Sequence, residues 1–161
     1  MPDVTLRPMT AAEFATYLPW AKGEYADEVM RNTGISAEDA KRHAEDSFRD
    51  LTPHGVKTPG HQLLVAVDPQ TGERVGLLWL TTRGSRGATA LWIYDIYVEE
   101  PLRGKGYGRR LLQLAEEEAR RAGVNRMELN VARDNEGARA LYESVGYTEM
   151  SRQMYKLLPE R

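Results

Sequence analysis

Apolar residues along the chain follow a strand-like period, then a helical one, then a strand-like one again, and each change of period marks a predicted element. Val4 to Pro8 alternates, with Val4 and Leu6 on one face and Thr5 and Arg7 on the other, which predicts a short strand. Thr10-Ala-Ala-Glu13 has the form of a capping box, in which hydroxyl and carboxylate satisfy free N–H groups at a helix start. Ser36-Ala-Glu-Asp39 is a looser version of it. Two helices are expected behind these caps, over roughly 11–31 and 37–50. LTPHGVKTPGHQ, residues 51–62, is broken by prolines and glycines and reads as a connection, since neither side of it alone could make a core.

The period then becomes two. Leu63 to Val67 and Val75 to Thr82 are β-prone runs joined by DPQTGE, whose Asp, Pro and Gly suit a hairpin turn. RGSRG leads into ALWIYDIYV, residues 90–98, apolar on both faces and therefore an interior strand antiparallel to its predecessors. Unbroken alternation there places Asp95 with Ile93 and Tyr97, opposite Tyr94, Ile96 and Val98. Leu111, Leu112, Ala115, Ala119 and Ala122 recur at helical spacing, and Gly123 suits the left-handed position that closes such a helix. Met127, Leu129 and Val131 alternate as a strand with Asn130 on its other face. A helix from about Glu136 to Ser144 ends at Gly146, and Met154 to Leu158 offers a last strand. The order is β-α-α-β-β-β-α-β-α-β, an α+β class, and 161 residues suit a single domain over 1–161.

Composition narrows the chemistry. Hydrophobic residues make up 41% and charged residues 29%, with a formal net charge of −2, which argues against disorder and against general affinity for nucleic acid or anionic membranes. The absence of cysteine removes disulfides, thiolate zinc sites and a cysteine nucleophile together. No apolar run approaches the roughly 18 residues of a membrane span, and MPDVTLRPMT lacks a signal-peptide pattern, so a cytoplasmic protein is expected. His43, His54 and His61 are scattered without partners at ligand spacing and read as surface or loop residues, so no metal is expected.

The most informative stretch is RGKGYGRRLL, Arg103 to Leu112, with glycines at alternate positions 104, 106 and 108 and Arg103, Lys105 and Arg109 among them. A Walker A loop would place Ser or Thr after its lysine, whereas Lys105 sits between glycines. A dinucleotide fingerprint needs Gly-x-Gly-x-x-Gly and an acidic residue after the next strand, where this chain has Asn130. What survives is common to both. Backbone without side chains can close on a pyrophosphate, helix-start N–H groups point toward it, and the cations add charge.

At these residues the chain resembles the GNAT superfamily of N-acetyltransferases, which move an acetyl group from acetyl-CoA to an amine. DIYVEEPLRGKGYGRRLL, Asp95 to Leu112, is similar to the family's strand, proline and Arg/Gln-x-x-Gly-x-Gly/Ala signature. NEGARALYESVGY, Asn135 to Tyr147, is similar to its second signature. The likeness is strong over roughly 75–150 and extends to the N-terminal part in element order only. It implies a mixed, mostly antiparallel sheet flanked by helices, in which strands four and five splay apart. It implies that Arg103, Gly104, Lys105, Gly106, Tyr107 and Gly108, with Arg109, hold the CoA pyrophosphate. The strand segment Ile96, Tyr97 and Val98 would carry the pantetheine arm through the backbone of Ile96 and Val98. Asn130 would border the cleft, and Asn135 would combine a helix cap with a polar contact to CoA. A small-molecule or peptide amine is the implied acceptor, and a homodimer is compatible with the family.

Acetyl transfer requires that the amine lose a proton, that the oxyanion be held, and that the leaving thiolate be protonated or otherwise stabilised. Tyr142 matches the tyrosine that protonates the sulfur in many relatives, and the backbone N–H of Val98 would meet the oxyanion. For the base, Asp95 is the acid inside the apolar run and is equally suited to be a structural acceptor, and polyamine and diamine acetyltransferases of the family often carry Glu-Asp where this chain has Tyr94-Asp95, with the glutamate linked to deprotonation. Asp95, Glu99, a residue of the first helices or a water chain remain open. A catalytically silent acyl-CoA sensor and an RNA-binding module using RGKGYGRR are the other function classes; an intact loop with Tyr142 argues against the first, acidic balance against the second.

Overall fold

The computed structural model describes residues 1–161. The chain divides into two compact units, one of residues 1–14 and 54–130, the other of residues 15–53 and 131–161.

The first unit is a five-stranded sheet in chain order: β1 Thr5–Pro8, β2 His61–Val67, β3 Arg74–Ser85, β4 Ala88–Val98 and β5 Met127–Leu129. The first four are antiparallel neighbours: short turns join β2 to β3 and β3 to β4, while residues 9–60 run between β1 and β2. β4 and β5 run parallel because helix α3, Tyr107–Arg121, crosses between them. Val75 to Leu80 are buried at every position, which marks β3 as covered on both faces. Leu111, Leu112 and Ala115 form the buried stripe of α3, and a Cβ on Gly76 would stand 3.3 Å from Leu111. Gly123, at φ +71, ends α3 as its sequence predicts.

The second unit is helical, with most of α1 Ala11–Thr33, then α2 Ala37–Leu51 and α4 Glu136–Ser144. The capping box that opens α1 forms as expected. Glu13 N donates to Thr10 Oγ1 (3.1 Å), and Thr10 N donates to Glu13 Oε1 (2.9 Å). At α2 only half of the motif forms: Asp39 N donates to Ser36 Oγ, while the Asp39 carboxylate turns to Arg42. Tyr25 and His43 join α1 to α2 by a 3.1 Å hydrogen bond.

Three expectations need correction. Residues 154–158 form no strand, because no ladder runs along them; Tyr155 and Leu157 pack instead beside Gly34 at the α1–α2 turn. Val131 lies outside β5, which is only three residues long. The alternation in β4 is broken by a bulge, with consequences for the site.

Candidate active site

The glycine loop is shaped by local choices. Pro101 lies within a 3₁₀ turn, Glu100–Leu102, at its start, where a missing N–H costs nothing. Arg103 leaves that turn extended, its Nε donating to the Val98 carbonyl (3.0 Å) and its guanidinium 5.1 Å from the Tyr97 ring centroid. Gly104 (φ +75) and Gly106 (φ +91) occupy the left-handed region that side chains disfavour. Gly106 is also the N-cap of α3 and brings no side chain to cap it. The helix therefore presents its N–H end, with the positive end of its dipole, to whatever lies before the loop. No carboxylate lies within ion-pair distance of Arg103 or Lys105, whereas Arg110 is spent on Glu117 and Gln113. The space a Cβ would take at Gly104 is open. Uncapped donors, unspent cations and room for close backbone approach fit a pyrophosphate.

Upstream, β4 is built to offer an edge. Leu80 pairs with Ile93 and Trp79 with Asp95, so Tyr94 is an extra residue and β4 bulges there. Residues paired across a ladder share a face. Asp95 and Tyr97 consequently lie on the face of Trp92 and Tyr94, while Ile96 and Val98 stay with Ile93. The alternation expected for Asp95 thus holds toward Ile96, Tyr97 and Val98 and is overturned on the other side, where Ile93 lies opposite Asp95 and Tyr94 shares its face. At the same point β5 falls away, since its ladder ends at Ile93↔Leu129 while β4 continues to Val98. Glu99 N donates to Val75 O (2.9 Å). Antiparallel alternation then turns the backbone of Tyr97 and Asp95 toward β3 and that of Ile96 and Val98 toward the side β5 has left. The Val98 carbonyl on that side is taken by Arg103. Tyr97 contributes its ring beside Arg103 and not its backbone.

Below this edge the Asp95 face carries an aromatic group that the sequence did not suggest. Tyr94 lies 4.8 Å from Trp79 and 5.9 Å from His61 by ring centroids. Trp79 Nε1 donates to His61 Nδ1 (3.0 Å). An indole N–H can only donate, so His61 keeps Nδ1 bare and carries its proton on Nε2. Burial also pushes the imidazole below its ordinary pKa. His61 was expected on a surface or loop; β2 begins two residues before the apolar run and takes it into the sheet. Its signal was HQLLV, where a polar pair precedes the alternation.

β5 inverts another expectation. Its buried residue is Glu128, while Met127 and Leu129 are half-buried and Asn130 is exposed just beyond. Ser85 Oγ (2.8 Å) and Arg126 Nε (2.9 Å) donate to the Glu128 carboxylate, and the guanidinium holds it below the usual carboxylate range. A concavity of about 450 Å³ beside Gln62, Thr82, Glu118 and Arg121 lies at the far end of α3 from the glycine loop. Its Glu118 and Arg121 pair with each other.

In the second unit, Asn135 caps α4 by accepting from Ala138 N (3.2 Å). Tyr142 is buried on that helix, its ring 5.7 Å from Tyr147. Arg31 and Asn32 bind Asp134 just ahead of the cap. The structure therefore gathers 95–109 and Asn130 in the first unit, and Asn135 with Tyr142 on one helix of the second.

The model of the acetyltransferase (GNAT) family matches residues 23–147, and the chain belongs to that family. Relatives in Bacillus subtilis (strain 168) match along nearly the whole chain. One is the uncharacterized N-acetyltransferase YycN, 34% identical over 155 residues, 96% of this chain and 99% of that one. Another, YdgE, is 30% identical over 154 residues, 96% and 98% of the two chains. The crystal structure of YycN superposes with a TM-score of 0.89, covering 98% of this chain and all of the other. A mycothiol acetyltransferase of Jonesia denitrificans is 34% identical over 95 residues, 59% of this chain and 30% of that protein. The protein is an acetyltransferase of the GNAT class. No helix in it is long and apolar enough to cross a membrane.

Proposed function

We propose that the protein is an acetyl-CoA-dependent N-acetyltransferase that acts in a ternary complex, with the acceptor's primary amine attacking the thioester directly. The observation that carries this reading is the uncapped start of α3 behind Gly104 and Gly106, flanked by the unspent charges of Arg103 and Lys105. Acetyl-CoA supplies an activated acetyl group as a thioester. Arg103 to Gly108, with Arg109, bind its pyrophosphate, and the outward backbone of Ile96 and Val98 aligns the arm like a neighbouring strand. Asn130 and Asn135 add polar contacts.

The acceptor nitrogen forms a bond to the carbonyl carbon while the carbon–sulfur bond breaks. Asp95 takes one proton from the ammonium beforehand, the Val98 N–H meets the charge on the carbonyl oxygen, Tyr142 gives its phenolic proton to the leaving thiolate, and the nitrogen's second proton leaves to solvent as the amide forms, solvent in turn reprotonating Tyr142. A phenol with pKa near 10 is matched to a thiol near 8.5, which keeps that transfer close to balanced. Glu99 is already engaged with Arg74 at 2.7 Å and is a poorer base for that reason.

Calorimetry with acetyl-CoA and thiol release with an amine panel test the reading together. Binding is expected in the micromolar range, and Gly106→Asp should abolish it by setting a carboxylate against the pyrophosphate. Gly106→Asn imposes the same backbone demand without the charge and should retain most of the affinity. Equal binding by Gly106→Asp and the parent protein would remove the loop from the phosphate site. Binding without thiol release for any amine would make the protein an acyl-CoA sensor.

A further inference from the structure

On the sheet face that carries Asp95, Arg83 lies flat over Trp92, its guanidinium carbon 3.4 Å from the ring centroid. Arg83 is exposed, and no carboxylate lies within ion-pair distance of it. Its Nη1 donates to the Tyr94 hydroxyl (2.9 Å), which leaves its remaining N–H donors unspent. Trp92 is only 9% exposed, yet its Nε1–H is buried with no acceptor. A buried donor left without a partner costs about 1–3 kcal/mol. An indole stacked on a guanidinium is a pair of parallel planes with N–H groups around their edges. The spare donors of Arg83 face solvent, whereas the Trp92 N–H is closed to it, so an anionic acceptor drawn by Arg83 reaches that N–H by shifting the guanidinium that lies over the indole.

We propose that the Arg83–Trp92 pair is the anion-recognition end of the acceptor site, and that the amine this enzyme acetylates carries a carboxylate. The proposal rests on the N-acetyltransferase reading for the amine and on the stacked pair for the carboxylate. The bulge at Tyr94 is what brings Asp95 to the same face as Trp92. At about 3.3 Å per residue, Trp92 stands about 10 Å or less along β4 from Asp95. An α-amino acid has its nitrogen and carboxyl carbon only about two bonds apart. An amine whose carboxylate lies about six bonds away, such as an ω-amino acid or a short peptide, spans the two charges. Between them the half-buried Tyr94 ring, held by Arg83 and backed by the buried Trp79, provides an aromatic surface for the alkyl stem.

The test uses 6-aminohexanoate and hexylamine, which share a terminal amine and a six-carbon chain and differ in the carboxylate. The protein has three tryptophans, so its indole N–H resonances are few, and the signal missing from Trp92→Phe assigns Trp92. Adding 6-aminohexanoate should shift the Trp92 indole resonance downfield, hexylamine should not, and Arg83→Gln should remove the response. In thiol release, 6-aminohexanoate should exceed hexylamine in kcat/KM by roughly ten- to a hundredfold, the usual worth of a charge-assisted hydrogen bond, and Arg83→Gln should erase that preference through KM. An unmoved Trp92 resonance, or the same shift with both compounds, overturns the proposal even if both amines are acetylated. A selective shift without thiol release for either amine upholds the anion site and overturns the acetyltransfer reading.

Discussion

Tyr142 and Asp95 are assigned opposite proton transfers, and each has a kinetic signature of its own. Tyr142→Phe preserves the ring that packs against Tyr147 and deletes only the hydroxyl. It should lower kcat by roughly 10- to 1000-fold while leaving acetyl-CoA affinity by calorimetry unchanged, because an acid acts in the transition state. An unchanged kcat would leave Tyr142 as a packing residue. Asp95→Asn keeps the shape of the side chain and removes its titration. In a pH–rate profile of kcat/KM the acidic limb should disappear, since that limb reports deprotonation of the free enzyme's base. A persistent limb in a folded Asp95→Asn protein assigns Asp95 to structure. The sequence left the base open among several groups. The Arg74 contact makes Glu99 the poorer carboxylate for that role, which is why the proposal places the proton on Asp95.

At the scale of elements, the close approach of β3 and β4 is what sets the free edge of β4 that the proposal gives to acetyl-CoA. A Cβ on Gly76 would stand 2.1 Å from the Tyr97 carbonyl oxygen, a backbone atom that cannot swing aside. Gly76→Ala must therefore push β4 outward beside Ile96 and Val98. It should cost about 1–3 kcal/mol in urea unfolding, as overpacking does, and weaken acetyl-CoA binding as well. Parent-like values for both would show that the ladder relaxes without moving that edge. Much of this architecture was legible beforehand: the strand and helix order, both helix caps, the Gly123 stop and the loop all follow from local periodicity and turn chemistry. The bulge was not, because an extra residue in an apolar run leaves hydrophobicity unchanged and becomes visible only against the partner strand. The buried Glu128 was missed for a related reason: Arg126 is a near neighbour in sequence, but the pairing with Ser85, 43 residues away, belongs to the folded sheet alone. The last strand failed the other way, since an apolar stretch makes a strand only where a ladder receives it.

For the molecule as a whole, the charge balance near neutrality conceals a set of carboxylates that depend on staying ionised. Arg7 grips Glu13 through two hydrogen bonds (2.7 and 2.9 Å) and, together with the capping box, lowers its pKa to about 2 from an ordinary 4.5. Arg126 holds Glu128 low, and Arg31 with Asn32 holds Asp134 low, each in the same direction. A depressed carboxylate contributes stability that is fully present above its unfolded pKa and disappears as pH falls through the folded value. Stability should thus slip as pH falls below about 6.5, where the unfolded chain protonates His61 and the buried imidazole resists it, and decline more steeply below about pH 4.5 as the carboxylates protonate. Glu13→Gln isolates one member of the set, since glutamine can still serve the capping box but cannot hold the guanidinium as an ion. Both partners are partly exposed, with side-chain accessibilities of 44% and 25%, so the loss at neutral pH should be no more than about 0.5–1 kcal/mol. The gap between Glu13→Gln and the parent protein should then narrow as pH falls and close near about pH 2, where the parent carboxylate is itself protonated. Chemical denaturation at a series of pH values measures it. A gap that stays constant down to that pH would mean that Arg7 stabilises the cap through packing and not through the charge on Glu13.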